Sequence, residues 1–258
     1  MDDAKPMHGT AYPRNSVSAA EWAVRVDLAA AHRMAEINGW TDLIFNHLTA
    51  RVPDQPSHFL IKPHELMFEE VTASNLIRVD QDGAPVDRDQ GVNAAGFTIH
   101  SAVYRARPDV NAVMHVHSDP GVAIAALKGG LRCLCQEAMT FYSRVGYHDF
   151  EGIALDIGER ERLAANLGPH KTLILRNHGV LTCSDTVADA ALRLRSLIMA
   201  AETQLRILAA GEELNEPLPE VCERTARQFE ALAAKHARRD EWQAMLRWLD
   251  RKDPSYRD

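Results

Sequence analysis

Apolar residues recur at helical spacing from 19 to 37, behind Ser18 with Glu21 three residues on, and the run ends at Asn38-Gly39. That spacing predicts a first helix of about five turns, opened by a capping box and closed by a left-handed residue. Short runs of β character follow at 43–45, 48–52, 59–61 and 76–79, and Gln81-Asp82-Gly83 predicts a turn behind the last of them. A helix is expected from about 97 to 105, stopped ahead of Pro108 because the residue before a proline avoids the helical region. Two continuous apolar runs, 112–116 and 172–175, predict buried strands, with helical patterns at 122–127 and 159–167 between them. A long helix from about 186 to 210 stops near Gly211, a second, charged one covers roughly 219–249, and residues 251–258 are expected to fray. Strands alternating with helices, without an internal repeat or long linker, predict one α/β domain with its core at about 18–211 and a helical extension at about 212–250.

Composition narrows the function classes. The 258 residues are 46% hydrophobic and 25% charged, which excludes a disordered, collagen-like or coiled-coil chain as the overall class. Lys and Arg number 29 against 36 Asp and Glu, a net charge of -7, so no basic surplus exists to neutralise a nucleic-acid backbone or an anionic membrane. No apolar run reaches the roughly 18 to 20 residues of a membrane helix, and the acidic opening MDDAKPMHGT lacks the apolar stretch of a signal peptide. A cytoplasmic protein without nucleic-acid or membrane partners is expected. Cys133, Cys135, Cys183 and Cys222 include one CxC pair but no zinc-ribbon set, so reduced, buried thiols are expected, with the leucine-flanked 131–135 as part of a buried strand.

Twelve histidines raise a metal question, and Met114-His115-Val116-His117-Ser118 focuses it at the end of a predicted strand. Residues i and i+2 of a strand point the same way, so His115 and His117 share a face while Met114 and Val116 turn into the core. A third imidazole is available from His178 in Leu175-Arg176-Asn177-His178-Gly179, which ends another strand. Three imidazoles suit zinc and other first-row divalent ions, with a fourth position open to water or substrate. The same spacing also fits an ordinary strand end beside a hydrogen-bonding histidine, and spacing alone leaves both readings open.

The stretch from about 19 to 211 resembles the class II aldolase and adducin N-terminal domain family. The resemblance rests on the order of separated pieces: Phe45-Asn46-His47-Leu48-Thr49, then Gly96-Phe97-Thr98-Ile99-His100 running into Ala102-Val103-Tyr104 and Arg107-Pro108-Asp109, then His115-Val116-His117, and finally Arg176-Asn177-His178-Gly179. It implies an α/β fold of three layers, a central, mostly antiparallel sheet flanked by helices. It also implies a divalent metal, usually zinc with manganese, iron or cobalt as alternatives, on His115, His117 and His178, and a homotetramer with sites at subunit interfaces. His100, on the helix before the strand, is expected to be structural or to stand behind the metal ligands, which need partners that fix their tautomers, and Asn177 is expected to position His178 beside it.

The departures from the family pattern shape the expected reaction. Sugar-phosphate aldolases of the family carry a glutamate four residues before the histidine of the Phe-x-Ile-His-like segment, and that position here is Gly96. Their phosphate cradle uses small hydroxyl and glycine residues, whereas the matching positions read Phe45-Asn46-His47, Lys62-Pro63-His64-Glu65 and Ala94-Ala95, too poor in donors for a phosphate. The expected substrate is therefore a small non-phosphorylated oxo or hydroxy acid, met by Asn46, His47, Lys62 and His64, with Arg51, Lys62 and Arg176 as carboxylate partners. Glu137 is the first choice for proton donor, with Tyr142, His64 and His47 behind it. Decarboxylation is slightly preferred over aldol cleavage, because it needs an electron sink and a late proton but no initial base. Segments around Ala95-Gly96-Phe97 and Tyr147-His148-Asp149 look closer to adducins, so a non-catalytic binding scaffold is the alternative, and a metal-dependent epimerase or dehydratase the third.

Overall fold

The computed structural model of the protein describes residues 12–86, 91, 94–152, 158–236 and 239–258, with the backbone alone described at 94–96 and 236. Among the described residues seven strands form one sheet: β1 (His47–Val52), β2 (Gln55–Ile61), β3 (Ile77–Val79), β4 (Ala112–Val116), β5 (Gly146–His148), β6 (Thr172–Leu175) and β7 (Gly179–Ser184). Their spatial order is β3-β2-β1-β4-β7-β6-β5, and every pairing is antiparallel except β5 with β6. The helices are α1 (Ala19–Ile37), α2 (Ala94–Ala106), α3 (Asp119–Ala126), α4 (Gln136–Met139), α5 (Glu159–Leu167), α6 (Val187–Ala209), α7 (Pro219–His236) and α8 (Arg239–Lys252).

Period-two alternation divides the sheet between two cores. Leu48, Ala50, Met114, Val116, Ile174 and Val180 pack under α1, α3 and α6 in the larger one. Phe59, Ile61, Val113, Leu173, Leu181 and Cys183 meet α2 and α5 on the opposite face. Helices on both faces of a mainly antiparallel sheet give the expected three layers. His115 lies on the α2 face with Val113, while Met114 and Val116 are buried beneath α6, as the alternation predicts.

Several expectations are corrected. The 43–45 run is not a strand: Asp42 and Phe45 form an isolated bridge closing a tight turn, and Leu43 has a φ of 46° that no strand residue adopts. Residues 131–135 form a half-buried loop rather than a buried strand, because Arg132 N bonds the Gln204 side chain instead of a neighbouring strand. All four cysteines are free, but Cys133 and Cys135 are only half-buried. The Ser18 hydroxyl accepts from Glu21 N at 3.1 Å, yet the Glu21 carboxylate turns to Arg25 at 2.8 Å, so only half of the capping box forms. Sequence reading also joined α7 and α8 and missed β5 and β7.

The expected frayed end is instead packed. Tyr256 is fully buried and donates to Asp250 Oδ1 at 2.7 Å, while its carbonyl accepts from Ala73 N at 3.0 Å. Arg33 on α1 pairs with Asp253 at 2.5 Å, closing the tail onto the larger core. Replacing Tyr256 with alanine removes a buried ring and its hydroxyl bond to Asp250, and is expected to lower the unfolding free energy by about 3 kcal/mol in urea titration.

Candidate metal centre

The β4–β7 ladder assembles the centre. Val116 pairs with Val180 and His115 with Leu181, so the end of β4 lies against the start of β7. The turn from Arg176 to His178, with Asn177 at φ 56°, connects β6 to β7 and brings the His178 ring over His115 and His117. Gly179 makes the approach possible: a Cβ there would stand 2.7 Å from the Val116 carbonyl and 3.0 Å from His117 Cδ2.

Three imidazoles converge. One ring nitrogen from each of His115, His117 and His178 lies within 4.8 Å of the others. His115 is buried and the other two half-buried, so the cluster is open on one side. His115 Nδ1 lies 3.0 Å from the Val180 carbonyl, which can only accept; Nδ1 therefore carries the proton and Nε2 keeps its lone pair toward His117 Nε2, 3.0 Å away. Asp42 Oδ2 stands 3.6 Å from His117 Nδ1, close enough to bias that nitrogen toward its protonated form.

Burial, reinforced by His178 and His117, holds His115 well below the ordinary imidazole range. Burial also lowers His117 against the pull of Asp42, and burial with His117 and His148 brings His178 down to about 4. Neutral rings at pH 7 present lone pairs without first losing protons, which is what a cation site requires. The donor set fits a divalent cation of the borderline kind, with the open side left for a small molecule.

Further imidazoles back the cluster. His47 pairs with His115 across the β1–β4 ladder, is 6% exposed, and has no hydrogen-bond partner at Nε2 among the described residues. Burial is the main cause that keeps it well below the usual range, followed by His100, Lys62, His117 and His64. His100, from α2, is fully buried with its ring 6.1 Å from that of His47; its Nδ1 is bonded to Thr49 Oγ1 at 2.7 Å, and Thr49 Oγ1 to Tyr104 Oη at 2.9 Å. Asn46 is 1% exposed at φ 70°, and neither amide atom has a partner among the described residues. His64 is half-buried, with Nδ1 unpartnered.

The expected cations are committed elsewhere. Lys62 is 2% exposed and donates to the carbonyls of Ile44, Leu66, His64 and Pro63 at 2.7, 2.8, 3.3 and 3.4 Å, so its three protons are used in tying two loops together. Burial brings its ammonium down to about 8. Arg51 lies four residues along β1 from His47, about 13 Å away at the usual strand rise, bonded to the Val110, Tyr104 and Pro56 carbonyls. Arg176 stacks 4.7 Å over the Tyr147 ring and bonds the Leu127 carbonyl, which braces the turn before His178. Asn177 is exposed, and its backbone N–H donates to Ala125 O at 3.2 Å.

Within the single chain, Glu137 and Tyr142 lie apart from the histidines. The short α4 packs on α6 and α7, leaving Glu137 exposed in a groove with Ser196, Phe229 and Glu241, and Tyr142 beside Cys133 and Tyr147. Gly96 lies on the first turn of α2; the Ala94 and Ala95 side chains lie outside the described residues. Asp42 and Gly179 were missed, since neither an isolated aspartate nor a glycine after a histidine carries a spacing signal.

The family model for the Class II Aldolase and Adducin N-terminal domain matches residues 26–205. The chain belongs to this family. A crystal structure of an aldolase II superfamily protein from Pseudomonas syringae is 46% identical, covers 95% of this chain and 99% of its own, and superposes with a TM-score of 0.91. The L-fuculose 1-phosphate aldolase from Glaciozyma antarctica PI12 is 28% identical over 92% of this chain and 93% of its own, with a TM-score of 0.80. Rat alpha-adducin is 45% identical over 195 residues, which cover 74% of this chain but 26% of the adducin. Family membership carries the three-layer fold across the aldolase and adducin branches.

The imidazoles give this aldolase/adducin domain a defined acid response. His100, and likewise His32 on α1, are held at about 3, above all by burial. Their folded values lie below the unfolded one, so the unfolded chain takes up protons first; stability is full above about pH 6.5 and is lost as pH falls toward 3. Each is expected to cost about 2 kcal/mol between pH 7 and pH 5, measured by urea unfolding of the metal-free protein at both values.

Proposed function

We propose that this domain is a metal-dependent carbon–carbon lyase acting on a small, non-phosphorylated oxo or hydroxy acid, with decarboxylation slightly preferred over aldol cleavage. The observation that carries the reading is the open-sided cluster of three neutral imidazoles, in which the Val180 carbonyl fixes the tautomer of His115. A divalent cation bound by His115, His117 and His178, zinc in the first place with manganese, iron or cobalt as alternatives, supplies a Lewis acid for a substrate oxygen. The unpartnered amide of Asn46 and the unpartnered ring nitrogen of His47 offer hydrogen bonds to the rest of the polar head. With Lys62 sealed under carbonyls, this set favours a substrate without a phosphate.

Loss of carbon dioxide releases the bonding electrons without an initial base, in keeping with Gly96 in place of the family's glutamate. One proton must then be delivered, and His64, half-buried with a free Nδ1, is better placed for it than Glu137 or Tyr142. The reading includes a cytoplasmic homotetramer. The likeness to alpha-adducin favours a second reading, a binding scaffold without catalysis; an epimerase or dehydratase on the same histidines is the third.

Elemental mass spectrometry of the purified protein is expected to find about one divalent ion per chain, lost in the His115→Ala/His117→Ala variant and released only as pH falls to about 4 and below, where His178 protonates. Absence of metal after reconstitution with zinc or manganese overturns the lyase reading in favour of the scaffold. Efficient cleavage of a ketose 1-phosphate overturns the non-phosphorylated substrate. Gly179→Ala is expected to weaken metal binding at least tenfold with an unchanged circular-dichroism spectrum, because its methyl group presses on the Val116 carbonyl at the end of β4 and on the His117 ring.

A further inference from the structure

Three of the four thiols lie where the C-terminal extension meets the rest of the chain. Cys133 and Cys135 belong to the loop that leads into α4, and Cys222 to the first turn of α7, beyond residue 205 where the family match ends. Two contacts set the loop against the extension: Arg132 pairs with Glu216, and the Cys133 thiol stands within hydrogen-bonding reach of the Cys222 thiol. Each thiol also meets a carbonyl on its own side, Cys133 Sγ at 3.6 Å from Ala138 O and Cys222 Sγ at 3.9 Å from Pro217 O. The packing of α4 on α7 keeps the two segments together.

Little else fastens α7 to the domain. Among its described residues Cys222 and Ala226 alone are buried. Its ion pairs to the body run from Glu223 and Glu230 to Arg144, at 2.7 and 2.6 Å, and the Glu230 side chain is more than half exposed. Pairs open to water in this way contribute little to stability. Two sulfurs facing each other across so lightly held a contact are positioned for a bond that would hold it covalently. The link would close the stretch 133–222, and long loops are where a cross-link restrains the open chain most.

We propose that Cys133 and Cys222 form a reversible disulfide that fastens α7 to the family domain when a small disulfide, such as glutathione disulfide, is in excess. Half-buried Cys133 is the more accessible partner and attacks one sulfur of the small disulfide, releasing one thiol. The Cys222 sulfur then attacks Cys133 in the mixed disulfide and releases the second thiol. The protein gives up two thiol hydrogens with two electrons, and the small disulfide takes up both. Burial, and next the neighbouring Cys222 thiol, pushes Cys133 up to about 12, so little thiolate exists at pH 7 and the exchange is slow. Slow exchange makes the link a response to sustained oxidation rather than to a brief pulse.

Incubation of the purified protein with glutathione disulfide tests this by intact mass, non-reducing peptide mapping and amide hydrogen exchange. The mass is expected to fall by two hydrogens, the map to join Cys133 to Cys222, and dithiothreitol to restore the starting mass. Exchange across α7 is expected to slow at least tenfold in the linked form. Cys135→Ser is expected to keep the link and the slowing. Cys222→Ser loses both, and so does Cys133→Ser, whose half-buried position leaves the circular-dichroism spectrum unchanged. A glutathione adduct that never resolves, a link between Cys133 and Cys135, or a link between two chains overturns the proposal. So does a Cys133–Cys222 link that leaves exchange in α7 as it was.

Discussion

The antiparallel pairing of β4 with β7 is the constraint on which the centre depends. It sets His115 and His117 against the strand that His178 enters, and its Val180 carbonyl decides which nitrogen of His115 carries a proton. A slip of one residue in this ladder would turn His115 into the larger core and Met114 toward the site. The register is strongly specified because both faces of β4 are buried: Met114 and Val116 pack beneath α6, and Val113 meets Leu181 and Cys183 on the other side. Core packing and site geometry are thus consequences of one alignment.

That alignment explains why a net-negative protein concentrates histidines rather than carboxylates at its centre. The strand end offers positions enclosed by two layers of helices, where an unpaired charge is heavily penalised. Imidazoles tolerate the enclosure by staying neutral, and in that state they remain donors and acceptors of hydrogen bonds and ligands for a cation. Where a full charge is buried nearby, as in Lys62, carbonyls surround it and the group becomes structural. The carboxylate at the cluster's edge, Asp42, stands instead half in water, its side chain 51% exposed.

The parts legible in the sequence were those with a local cause. β4, β6 and α5 fall at the predicted limits, since continuous apolar runs and a 3.6-residue period report burial directly. The alternation of His115 with Met114 and Val116 was likewise readable, and His178 could be added through the family pattern. Lys62, Arg51 and Arg176 were readable as cations but not as occupied ones, because the carbonyls and rings that hold them come from residues distant in the chain. The position of Glu137 was unreadable for a similar reason: whether a short helix faces the centre or α7 of the same chain is settled by tertiary packing. β7 escaped notice because a glycine and three hydroxyl or thiol residues dilute its pattern, and the C-terminal turn because its one anchoring ring, Tyr256, has no periodic neighbours.

Backbone conformation supplies the remaining link from sequence to site. Leu43, Asn46 and Asn177 are non-glycine residues with positive φ, and all three flank the histidine cluster. Asparagine enters this region at modest cost through its short polar side chain, but for leucine the penalty is about 1 to 2 kcal/mol. Two of these turns are fastened on both sides, by the Asp42–Phe45 bridge and by the Asn177 and Arg176 bonds to Ala125 and Leu127. Those bonds fix the directions of Asn46 and His178, which regular strand geometry alone would not aim at a common point. The sheet provides the positions and the strained turns provide the aim, so substitutions that relax the turns should stabilise the fold while degrading the site.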